Sequence, residues 1–244
     1  MLDFAGTIAI VATVVLCLVA IGATLPLSTG SRVVLALVVG IWVGLAAAIG
    51  AAGEFADAGR RPVPLIAVFF AAPLLATALT AALWPAARRT MLALPMPLMI
   101  GMNIPRVVGG MFLLLAVAGR LGGPFPQSAA WGDLITALVA IPAVWWAIDP
   151  TAARDRLIWI WNVFGALDLL AAVGLATVTT PDSPLRMIDG GVGPQAMQYL
   201  PWALIPAVLV PCWLILHAII LAQLRARARE PGRTTGAAAL RKAA

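Results

Sequence analysis

LMIGMNIPRVVGGMFLLLAVA, residues 98–118, decides the fold of this chain. A helix needs about 20 mostly apolar residues to cross the hydrocarbon core of a bilayer, and this stretch supplies them. Arg106 is its only charge and lies near its middle. An arginine at that depth costs at least about 2.5–3.5 kcal/mol on insertion scales, so it is expected to face a partner, a pore or a ligand instead of lipid.

The same reading extends in both directions. Of the 244 residues, 62% are hydrophobic and 11% are charged, and the mean hydropathy of +1.01 lies far outside the balance of soluble domains. Seven apolar stretches are long enough to span, at 8–25, 33–52, 63–84, 98–118, 131–148, 157–180 and 199–221. The chain is therefore expected to be an all-α, polytopic transmembrane bundle over 1–224, followed by a basic, flexible tail over 225–244. Short links leave no length for a separate soluble domain. The first stretch has a second reading as a signal peptide, with Ala20, Gly22 and Ala23 near a cleavage point. A retained helix fits better, because the only side-chain charge before it is Asp3 and a signal peptide wants a basic start.

Basic residues set the expected orientation, since cytoplasmic loops carry the excess. With the C-terminus inside, eleven of the sixteen fall on the cytoplasmic side, from Arg32, Arg88, Arg89, Arg154 and Arg156 to the six of the tail. Arg60, Arg61, Arg120 and Arg186 fall outside, and Arg106 is the remaining one. This predicts an external N-terminus in the cytoplasmic membrane of a bacterium. A basic run directly after a spanning helix is expected to rest on anionic lipid headgroups and not on nucleic acid.

Several chemistries are argued against by residue type. Cys17 and Cys212 both lie in apolar stretches and read as small buried hydrophobes, not as a disulfide or a zinc site. The single lysine, Lys242, is in the tail, so no buried amine is present for a retinal Schiff base. One histidine excludes a bis-histidine haem. Met96, Met99 and Met102 are spaced by three, but Pro95 and Pro97 disturb a Cu(I)-binding face, and core packing explains them. No cofactor or metal is expected. Trp84, Trp131, Trp159, Trp161 and Trp202 stand near helix ends and read as interfacial belts. Residues 181–198, with Asp182 and Asp189, form the longest loop, either a lid or a connection.

At about 100° per residue, Met99, Met102, Asn103, Gly109, Gly110, Leu113 and Val117 share the face of Arg106. On the sixth helix Trp161, Gly165, Asp168 and Ala172 share another, with Asn162 at its edge. Asp168 lies twelve residues from both Arg156 and Thr180, a depth that matches Arg106. These positions predict an Arg106–Asp168 ion pair. Asn103, Asn162 and His217 project to nearby depths, so Asn103, Arg106, Asn162, Asp168 and His217 are expected to line one polar pocket. Pro201, Pro206 and Pro211 predict bends and free carbonyls in the last helix.

The segments Asn103-x-x-Arg106-x-x-Gly109-x-x-Phe112-Leu113, Gly132-Asp133, Trp161-Asn162-x-x-Gly165-x-x-Asp168 and Pro206…Pro211…His217 resemble a group of uncharacterised bacterial multi-spanning proteins. The resemblance covers 98–224 and implies an architecture without an activity.

The expected function is binding or passage of a small solute or proton. Arg106 would hold an anionic group or neutralise Asp168, Asp168 would be charge partner or proton carrier, and His217 a titratable neighbour. Two other classes fit the same residues. One is a non-catalytic subunit packed against other membrane proteins or its own copies, with the ion pair as a strut. The other is an intramembrane enzyme acting on a lipid, with Asp168 and His217 as acid and base.

Overall fold

A computed structural model of the protein describes residues 1–57, 59–181 and 183–229. Residues 230–244 of the expected tail lie outside these. Among the described residues there is no strand, and seven helices are long and apolar enough to cross a membrane. The architecture is thus all-helical and compatible with an integral membrane protein.

Three spans come first: α1 (Leu2–Thr24), α2 (Thr29–Ala51) and α3 (Leu65–Leu83). A short helix, α4 (Pro85–Leu92), carries Arg88 and Arg89. The fourth span, Met96–Val117, is broken into α5 (Met96–Gly101), a 3-10 segment (Ile104–Gly110) and α6 (Met111–Val117). Next come α7 (Phe125–Ile148) and α8 (Ala152–Thr179). The last span opens with a π-helical turn, Ile205–Leu209, and continues as α9 (Val210–Arg229).

The seven passes alternate in direction, so Leu2 and Arg229 lie toward opposite ends of the bundle. At the first end Asp3 pairs with Arg120 at 2.7 Å and accepts a bond from the Trp202 indole at 2.7 Å. At the other, Gln223 donates to the Leu92 and Leu94 carbonyls, and Arg227 pairs with Asp155 at 3.1 Å. The centre of the bundle is α7, α8, the broken fourth span and α9. By contrast α2 and α3 are peripheral, and Val34, Leu37, Ile41, Leu75 and Leu79 project outward. An apolar outer surface of this kind suits lipid and not water.

Three sequence expectations change. The fifth span begins at Phe125, not at 131, because Pro126 is tolerated in a first turn, where its missing N–H had no helical partner. Asp133 consequently lies a third of the way into the helix. Trp161 and Trp202 do not mark an interface: both are buried, unlike Trp84, Trp131 and Trp159. Each indole N–H has a partner, Thr136 O in the interior for Trp161 and the exposed Asp3 at the end of the bundle for Trp202. Finally, Val117 does not share the Arg106 face. It is 90% exposed. A 3-10 turn advances each residue by about 20° more than an α-turn, roughly 140° over the seven residues of Ile104–Gly110.

The prolines of the last span do free a carbonyl. Pro211 has no N–H for Ala207 O, and the Trp42 indole of α2 donates to it instead at 3.3 Å. Trp42 also lies against Phe69 of α3, ring centroids 4.4 Å apart, so this one side chain fastens two peripheral helices to the last span. The long loop is tied down as well. Gly122 N–H bonds Gly193 O at 2.8 Å and Met187 N–H bonds Val178 O at 2.9 Å. The Gly191 N–H and the Arg186 guanidinium hold the exposed Asp189 carboxyl below the usual carboxylate range.

Cys17 of α1 and Cys212 of α9 are free, and their side chains are neighbours. A lipid-soluble oxidant is therefore expected to protect both cysteines from maleimide labelling of the subsequently denatured protein, whereas Cys17→Ser leaves Cys212 labelled. Full labelling of the oxidised wild type would contradict the proximity of these two side chains.

Candidate functional site

The break in the fourth span is what aims Arg106 inward. Pro105 lacks the N–H that an α-helix would offer to Gly101 O, and the chain tightens after Asn103. Arg106 N–H then bonds Asn103 O at 3.2 Å. Met102 O, the acceptor it would have used in an α-helix, takes the Trp213 indole N–H at 2.9 Å. Arg106 N–H and Met102 O, parted at this step, thus each have a new partner, as burial demands.

The Arg106 side chain is fully buried. Its Nε donates to Asp133 Oδ1 at 2.7 Å, and its Nη2 to Asp168 Oδ2 at 2.6 Å. Nη1 donates to Gly165 O and to His217 Nε2, both at 3.2 Å. Four of the five guanidinium N–H groups are thereby engaged. The Trp213 ring lies beside the guanidinium, with Arg106 Cζ 5.7 Å from its centroid. Two carboxylates face one guanidinium, so the set carries a formal charge of −1 when both are ionised and is neutral with one proton bound.

A guanidinium only donates, which makes His217 Nε2 an acceptor and places the ring proton on Nδ1. Nδ1 in turn bonds Asn162 Oδ1 at 2.8 Å, and Asn162 Nδ2 bonds His217 O at 3.1 Å. Asn162 thus grips both the ring and the backbone of His217. Asn162→Leu leaves the Nδ1–H buried without a partner and is expected to cost about 1–3 kcal/mol of stability, measured by thermal unfolding in detergent. An unchanged unfolding temperature would sink this assignment of the ring proton.

Three glycines let the helices close on these side chains. A Cβ on Gly132 of α7 would overlap the Asp168 carboxylate, one on Gly109 would stand 2.6 Å from Asp133 Cβ, and one on Gly165 2.8 Å from His217 Cε1. Real Cβ atoms do not approach that closely. Gly110, expected on the same face, meets Leu134 instead.

The structure therefore brings together Arg106, Asp168, Asn162 and His217. Asn103 is not joined to them by a hydrogen bond: its amide donates back to Met99 O at 3.0 Å, and its buried Oδ1 has no partner among the described residues. Sequence reasoning missed Asp133, placing it at a helix opening. Charge stoichiometry was the available signal, because Asp133 is the only ionisable side chain from 121 to 148. Thr136, one turn further along α7, is also buried here, with its Oγ1 unpartnered among the described residues.

A cavity of about 160 Å³ adjoins the cluster, between α3, α7, α8 and the start of the last span. Phe70, Phe112, Phe125, Leu169, Val173 and Met197 give it apolar walls, and Thr177, Thr180 and Gln198 lie toward the α8 C-terminus. Asp133 is its one ionisable lining residue among those described; Arg106, Asn162, Asp168 and His217 do not line it.

Together these features define a class: an all-helical bundle of seven candidate membrane spans closed around a buried Asp–Arg–Asp cluster. The chain belongs to the family described as domain of unknown function DUF8737, whose model matches residues 63–225. The matched segment runs from just before α3 through most of α9 and contains Arg106, Asp133, Asn162, Asp168 and His217. No curated protein and no solved structure matches the chain.

Proposed function

We propose that the protein is an integral membrane protein that binds a small solute inside the bundle. Arg106, Asp168, His217 and Asn162 form a fixed polar floor, and Asp133 is the group that meets the solute. The carrying observation is the 160 Å³ cavity that reaches Asp133, a carboxylate already held in place by Arg106. Pockets of this kind, apolar with a few convergent polar groups, are the usual form of small-molecule sites. The distribution of basic residues supports an external N-terminus and a cytoplasmic tail on anionic headgroups of a bacterial inner membrane.

A second reading has its own support. Four engaged N–H groups and full burial make Arg106 a good strut for helix register, which is all that a structural subunit of a membrane complex requires. Catalysis by Asp168 and His217 is less well supported, because both ring nitrogens of His217 are occupied by Asn162 and Arg106.

Ala172→Trp separates the first two readings. Ala172 lines the cavity and makes no polar contact with the cluster, so an indole there fills the space and leaves the floor intact. The solute-binding reading expects a folded variant that has lost ligand-dependent stabilisation and cellular activity. A variant as active as wild type favours the structural subunit.

A further inference from the structure

We propose that the cavity takes a small lipophilic monocation, a protonated amine the size of one aromatic ring, with its ammonium on Asp133. This rests on the solute-binding reading above and adds the chemical class of the solute.

Three observations converge on that class. The first is charge. Asp133 and Asp168 share a single guanidinium, so a cation brings the set to neutrality with both carboxylates ionised. A neutral solute leaves either an unbalanced charge or a carboxyl that must keep a proton, and an anion adds a further negative charge to either state, each at a cost that rises as the dielectric falls.

The second is acceptor geometry. Asp133 Oδ1 takes the Arg106 Nε–H, while Oδ2 accepts no hydrogen bond from a described residue. Asp133 lines the cavity, and its side chain keeps 8% of its surface open. Arg106 orients the carboxylate and leaves one oxygen for an incoming N–H donor. The guanidinium itself does not line the cavity and has one N–H left, so it offers no fork to a carboxylate or phosphate.

The third is the shape and lining of the remaining space. The walls are aliphatic and aromatic, with Phe70, Phe112 and Phe125 among them. Aromatic faces tolerate an adjacent ammonium and attract it. At about 160 Å³, the volume is close to the roughly 150 Å³ of an apolar cavity known to admit benzene. One ring or a short alkyl chain fits.

The test uses the full-length protein in phosphatidylcholine nanodiscs, with benzylammonium, benzyl alcohol and benzoate as three probes of nearly one shape. Thermal stabilisation and calorimetric titration are read for wild type and for Ala172→Trp. The expected result is benzylammonium binding at least tenfold tighter than benzyl alcohol, no binding of benzoate, and loss of benzylammonium binding in Ala172→Trp. Benzyl alcohol or benzoate binding as tightly as the amine, and lost in Ala172→Trp, would overturn the cation assignment and leave the solute-binding reading standing. Amine binding that survives Ala172→Trp would place the site elsewhere and overturn it too. No binding by any probe, with Ala172→Trp as active as wild type, would overturn the solute-binding reading itself.

Discussion

Arg106→Met is expected to remove about 3–5 kcal/mol of stability, a large share of the roughly 5–15 kcal/mol that holds a typical domain folded. The loss comes less from the missing hydrogen bonds than from what they leave behind. Asp133 and Asp168, held at 2.7 and 2.6 Å from one guanidinium, would be two carboxylates in an apolar interior without a counter-charge. Accumulation in the membrane and unfolding in detergent both read this out. Arg106→Lys is expected to fall between the two, because a compact ammonium cannot reach two carboxylates, Gly165 O and His217 at once.

Charge balance makes a less intuitive prediction for the partners. Asp168→Asn keeps an acceptor for Nη2 and brings the cluster to exact neutrality, so its cost is expected to stay within about 1 kcal/mol, the scale of one net hydrogen bond. Arg106→Met combined with Asp133→Asn and Asp168→Asn removes every charge and is expected to recover most of the stability lost by the single arginine variant. If the triple variant is no more stable than Arg106→Met, unbalanced charge is not the reason for the loss.

The second large effect concerns an atom that is absent. Gly132→Ala would put a methyl group where the Asp168 carboxylate now stands, and α7 and α8 would have to separate at this contact or release the ion pair. A loss of about 1–3 kcal/mol is the usual scale for overpacking alone, and disruption of the Arg106–Asp168 pair adds to it. Gly174→Ala provides the control in the same bundle. Nothing stands within 4 Å of its would-be Cβ, so the better helix propensity of alanine is expected to leave that variant unchanged or up to about 1 kcal/mol more stable. Equal behaviour of the two variants would mean that the tight seam at Gly132 does not constrain the fold.

The sequence was informative where one-dimensional arithmetic suffices. Span count follows from the length of apolar runs, and the depth match of Arg106 with Asp168 follows from counting residues to flanking charges. The face of α8 was legible because that helix stays regular from Ala152 to Thr179, and Trp161, Asn162, Gly165 and Asp168 all meet the cluster or its immediate neighbours. Where the helix changes type the arithmetic fails: a regular wheel carried Val117 inward, and the 3-10 turn carries it out. Asp133 was lost for a related reason, since the apolar run starts only at residue 131 while the helix already starts at Phe125, with Pro126 in its first turn. The cavity left no trace, because it arises from how α3, α7, α8 and the last span fail to fill the space among them.

The broken fourth span also has a consequence in time. Synthesis delivers Arg106 27 residues before Asp133 and 62 before Asp168, and His217 arrives 111 residues after it. In a membrane, inserting the guanidinium at once, while none of its intramembrane partners yet exists, would cost about 2.5–3.5 kcal/mol. Entry of the segment into lipid only after α7 has delivered Asp133 avoids that cost, so the order of synthesis favours joint insertion of the two.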